Sequence, residues 1–118
     1  MFIRIHLALP LENMALVSCV SDLKPGDYIL VKFSTTNKRK LTYKYVTTVL
    51  QLMNNNEIEI QCFEATDEEN TEFIVIENDI SVIDISDIVG KLPYPELKKS
   101  GRQLKSIFPG VVDVFEKF

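Results

Sequence analysis

"TYKYVTTVLQLMNNNEIEIQCFE", residues 42–64, is two apolar runs of period two on either side of three asparagines. In the first run Val46, Thr48, Leu50 and Leu52 fall on one side, and Tyr43, Tyr45, Thr47, Val49 and Gln51 on the other. In the second run Ile58, Ile60 and Cys62 oppose Glu57, Glu59, Gln61 and Phe63. Successive side chains of a strand point to opposite faces, so this alternation predicts two strands. Residues 54–56 make a tight connection, because asparagine tolerates positive φ. An antiparallel hairpin is the expected result.

Outward from the hairpin, "LKPGDYILVKF" (residues 23–33) places a Pro-Gly turn before a short apolar run, so a strand begins near Tyr28. On the other side, "TEFIVIE" (71–77) and "DISVIDISDIVGKL" (79–92) continue the β-branched alternation until Pro93 and Pro95 stop further pairing. About five short strands predict a mainly β chain, built as a small barrel or sandwich. The flanks read differently. "FIRIHLAL" (2–9) alternates like an added strand, while "LENMALVSCVSDL" (11–23) has no Gly or Pro and suits about two turns of helix; period does not decide so short a run. "ELKKSGRQLKSIFPGVVDVFEKF" (96–118) carries Lys98, Lys99, Arg102 and Lys105, then an apolar finish through Val111, Val112, Val114, Phe115 and Phe118. That finish is expected to cover the barrel or a second copy of the chain, since large apolar groups left in water are costly. The expected organisation is an N-terminal extension (1–22), a barrel (23–92) and a C-terminal tail (93–118).

A length of 118 residues with 46% hydrophobic content suits a single core. The formal charge of −4 hides an uneven distribution. Residues 1–50 hold seven Lys/Arg against three acids, residues 51–90 none against eleven, and residues 91–118 six against three. The middle segment therefore projects a negative field that attracts cationic partners and repels phosphate backbones. No stretch reaches the roughly 18 uncharged apolar residues of a spanning helix. His6, Pro10, Glu12 and Asn13 interrupt the apolar start, which argues against a secretory signal. Cys19 and Cys62 lie 43 residues apart without a metal or redox pattern, which suits reduced thiols in an intracellular protein, nuclear or cytoplasmic.

The order "LKPGDYILVKF", "YVTTVLQL", "EIEIQCFE", an acidic loop and "ISVIDISDIVGKL" resembles the Tudor-type member of the SH3-like β-barrels over about residues 23–92. It is similar as well to domains near the C-termini of uncharacterised arthropod and cnidarian proteins. The resemblance implies a five-stranded barrel in a chromatin- or RNP-associated protein. It also implies an aromatic cage in which a Lys or Arg side chain, methylated or not, lies against ring faces. By position the cage rings are Phe33, Tyr45 and Phe63, and alternation independently sets Tyr45 and Phe63 opposite the core set. The fourth cage position falls in "EATDEENTE" (64–72), which has no aromatic residue. The expected ligand is a basic peptide, with Glu64, Asp67, Glu68 and Glu69 supplying long-range attraction.

Two other roles compete with this reading. Lys38, Arg39, Lys40 and Lys44 beside Tyr43 form a basic turn able to hold phosphates while a base stacks on the ring. Self-association through residues 1–20 and 104–118 is a structural role. Catalysis is the weakest class: His6 is the only histidine, no serine or cysteine sits in a nucleophile motif, and Gly26, Gly90, Gly101 and Gly110 are scattered rather than set in a phosphate loop. Asp67, Glu68 and Glu69 lack the ligand spacing of a calcium loop. A non-enzymatic module without metal or cofactor is expected.

Overall fold

The structure is a computed structural model and describes residues 14–34 and 41–116. The 42–64 stretch is the hairpin that its alternation predicts. β2 (Thr42–Leu52) and β3 (Glu57–Ala65) run antiparallel with Thr47 opposite Cys62. Asn55 and Asn56 in the turn have φ of 62° and 61°. Leu50 is an extra residue, because Val49 faces Ile60 but Gln51 faces Glu59. This bulge shifts the alternation, so Leu50 and Leu52 are exposed rather than buried beside Val46; Thr47 and Val49, ahead of the bulge, are buried on the face opposite Val46.

The other strands are β1 (Tyr28–Ser34), β4 (Glu72–Asp84), β5 (Ile88–Lys91), β6 (Glu96–Ser100) and β7 (Gln103–Ile107). Together they form one seven-stranded antiparallel sheet in the order β5-β1-β2-β3-β4-β7-β6. The chain is mainly β, as expected, but the sheet is open and has seven strands rather than the five of a closed barrel. Two strands come from residues 96–107. Gly101, at φ 63°, opens a two-residue loop that folds this segment into the β6–β7 hairpin, and β7 joins the free edge of β4. Residues 20–22 form a single 3-10 turn.

Both faces of the sheet are packed. Leu23, Ile29, Val31, Val49, Ile58, Ile60, Cys62 and Ile83 cluster on the first face, with Val17 and Val20 against them. Leu30, Val46, Phe63, Phe73, Leu92, Phe108 and Val112 cluster on the second. Neighbours along one strand thus enter different cores: Ile29 and Val31 one, Leu30 the other. Each such side chain contributes about 1.5–3 kcal/mol on leaving water. Across the second face, the Tyr28 and Ser106 hydroxyls hydrogen-bond at 2.9 Å and tie β1 to β7.

The turn before β1 is held by a buried carboxylate. Gly26 (φ 93°) donates its N–H to the Val49 carbonyl, and Val49 donates to the Asp27 carbonyl. The Asp27 side chain accepts from the Tyr94 hydroxyl at 2.6 Å, from Lys24 Nζ at 2.9 Å and from the Lys24 N–H at 3.0 Å; Lys91 Nζ lies 3.3 Å away. Burial would raise the Asp27 pKa, but the bonds from Tyr94, Lys24 and Lys91 outweigh it and hold the carboxyl well below the usual range.

Candidate functional site

The end of β1 and the start of β2 face each other with Phe33 opposite Tyr43 and Val31 opposite Tyr45. Cross-strand partners share a face, so all three rings emerge on the first face of the sheet. Phe33 and Tyr45 meet edge to face, with centroids 5.8 Å apart and planes at 70°. With Ser34, Tyr43, Cys62, Asp79 and Ser81 they line a cleft of about 310 Å³.

An irregularity in β4 brings Asp79 there. Gln61 faces Ile80 and Phe63 faces Val75, so one residue of β3 is matched by four of β4, residues 76–79. Asn78 in this bulge has φ 64°. The Gln61 amide holds it, donating from Nε2 to the carbonyls of Ile76 at 2.7 Å, Cys62 at 3.1 Å and Asp79 at 3.3 Å. Bulges re-aim side chains, and this one sends a carboxylate toward three rings. Cys62 lies below it. Burial, with Asp79 adding to it, pushes the thiol up to about 12, so it stays protonated at neutral pH and is a poor nucleophile. Asp79 is the only residue bearing a full charge among the described residues that line the cleft.

The C-terminal segment borders the same region. Below Thr47 and Cys62, β2 and β3 separate, and residues 113–116 enter the gap. Lys44 and Phe115 exchange backbone hydrogen bonds of 2.9 and 3.0 Å, and the Phe115 ring stacks on Tyr43 at 5.2 Å. Lys44 pairs with Asp113. The Glu116 carboxylate accepts from the Ala65 N–H at 3.0 Å; burial raises its pKa, Ala65 opposes that, and nearby Glu64 adds to it.

Two of the expected cage rings, Phe33 and Tyr45, therefore stand together, but Phe63 does not join them. It lies on the second face, 4% exposed, with its ring 5.6 Å from Tyr28. The expectation that Phe63 stands outside the core is corrected because this sheet has no solvated face at that point. Tyr43, expected at a nucleic-acid surface, lines the cleft instead. The four expected acids do not line it. Glu64 is exposed on β3, and Glu68 and Glu69 are exposed in the β3–β4 turn. Asp67 is a turn residue whose carboxylate accepts from the Thr71 hydroxyl at 2.6 Å and from the Thr71 and Glu72 N–H groups. Lys44 has its cation matched by Asp113, while Lys38, Arg39, Lys40 and His6 lie outside the described residues. Sequence reasoning missed Asp79; the available signal was the Asn78-Asp79 turn pair inside a strand-like run. Among the described residues, no group of three or more His, Cys, Asp or Glu is arranged to hold a metal ion. Comparison with protein-family models, curated proteins and solved structures finds no match for this chain.

Proposed function

We propose that this chain is a non-enzymatic interaction module that holds a Lys or Arg side chain of a basic partner segment in the cleft of Phe33, Tyr43, Tyr45 and Asp79. The observation that carries the reading is the convergence of three rings and one carboxylate on a concave site. A cation against aromatic faces gains about 0.5–2 kcal/mol, more as water is excluded, and a carboxylate at the rim adds direct attraction. The acidic middle of the chain supplies longer-range steering. The order β5-β1-β2-β3-β4 agrees with an SH3-like, Tudor-type unit extended by β7 and β6, in which the cleft takes the place of the cage. Methylated lysine or arginine fits the same chemistry, because methyl groups lower the cost of leaving water without removing the charge.

The test is a calorimetric titration with an Arg/Lys-rich peptide, with and without methylation. Phe33→Leu keeps an apolar side chain in place and removes the ring; Asp79→Asn removes the charge. Each variant is expected to weaken binding about tenfold, near 1.4 kcal/mol, with an unchanged far-UV spectrum. Wild-type affinity in both variants would refute the assignment.

A further inference from the structure

We propose that the free edge of β6 accepts an extended acidic segment of a partner protein as an added strand. All five residues of β6 are exposed, and among the described residues the strand pairs only with β7, which leaves one side of its backbone open. Its charges are also uncommitted. Lys24 and Lys91 lie on Asp27, Lys44 on Asp113 and Lys105 on Glu72. Lys98, Lys99 and Arg102 have no carboxylate within ion-pair distance among the described residues, and all three lie within five positions of one hairpin.

Apolar surface accompanies them. Leu97 is 55% exposed, Leu104 54% and Val75 47%. By register Leu97 shares a face with Ser106, and Lys99 with Leu104. β4 and β7 pair only at Glu72–Ile107 and Phe73–Ser106, then part around a groove of about 360 Å³ lined by Ile74, Val75, Glu77, Arg102, Gln103 and Leu104, whose one acid, Glu77, lies on β4 rather than on the β6 edge. An edge flanked by apolar side chains and unpaired cations suits strand addition, in which the backbone supplies affinity and alternate side chains supply selectivity.

The charges identify the occupant. A second copy pairing its own β6 here does less well: centred on Lys98 in a two-fold antiparallel arrangement, lysine would face lysine, and centred on Leu97, Glu96 would face Lys98 but Lys99 would face Pro95 and stay unpaired. A segment with two adjacent acids, one opposite Lys98 and one opposite Lys99, followed by an apolar residue opposite Leu97 and a hydroxyl residue opposite Glu96, satisfies both lysines and the leucine without setting acid against acid. A nucleic acid would satisfy the cations but leave the strand edge and the leucines without partners, and among the described residues no aromatic lines the groove to stack a base.

The experiment uses the full chain and a fluorescein-labelled peptide, TVEEVT, followed by anisotropy at low salt. Binding is expected, with slowed hydrogen exchange at β6 amides. Lys98→Glu combined with Lys99→Glu is expected to weaken it at least about tenfold. The peptide TPEEPT, of equal charge but lacking two backbone donors, is expected to lose at least as much. No binding of TVEEVT, equal binding of TPEEPT, an unchanged affinity in the double variant, or displacement of the peptide by a six-residue oligothymidylate would each overturn the proposal.

Discussion

The two ends of the sheet use their cations in opposite ways. Near β1 and β5, Lys24 and Lys91 converge on one buried carboxylate that also takes the Tyr94 hydroxyl. At the β6–β7 end, Lys98, Lys99 and Arg102 lie in water on an edge with no carboxylate partner among the described residues. The same residue types are therefore structural at one end and available at the other. Burial makes the difference, since an unpaired carboxylate inside a protein is far more costly than an unpaired lysine on its surface.

The contrast breaks most visibly at Asp27. Asp27→Asn removes the charge that several donors converge on and is expected to cost about 2–3 kcal/mol in urea unfolding. Because the folded carboxyl titrates below its unfolded value near 3.9, its contribution is complete above about pH 4 and fades as the pH falls through the folded value. Wild-type stability should therefore decline into acid, and the variant should show a shallower decline over the same range. A smaller loss is expected at Gly90, beside the same end. A Cβ there would lie 2.9 Å from Met14 Cβ and 3.4 Å from the Ala15 carbonyl, so Gly90→Ala should cost about 1–3 kcal/mol by the same measurement. The smallest effect sharpens the comparison from the other side. Lys98→Glu with Lys99→Glu should leave the unfolding free energy within about 0.5 kcal/mol, because both lysines are exposed and neither has a carboxylate partner among the described residues.

The hairpin at residues 54–56 was legible because alternation and turn chemistry agree there. So was the Pro-Gly-Asp entry to β1. The sequence reading assumed a single buried face, and that assumption misplaced Phe63. Alternation correctly set Phe63 opposite Cys62, but period two says only that neighbours face apart, not which side meets water. The bulges at Leu50 and at residues 76–79 were not legible either. They arise from how β2, β3 and β4 are spaced in three dimensions, and the second supplies the only acid that lines the cleft among the described residues. The β6–β7 hairpin had a local signal, Ser100-Gly101 between two alternating runs, but it was outweighed by reading 96–118 as a covering tail. Phe33 and Tyr45, set side by side in expectation only by the family resemblance, meet because the β1–β2 register places Val31 opposite Tyr45 and Phe33 opposite Tyr43.

The most direct test is a two-dimensional amide spectrum of the 15N-labelled chain titrated with an Arg/Lys-rich peptide. The account predicts shifts confined to Phe33, Tyr43, Tyr45, Cys62 and the residues around Asp79, with β6 unmoved. Shifts centred elsewhere, or none at millimolar peptide, would contradict it.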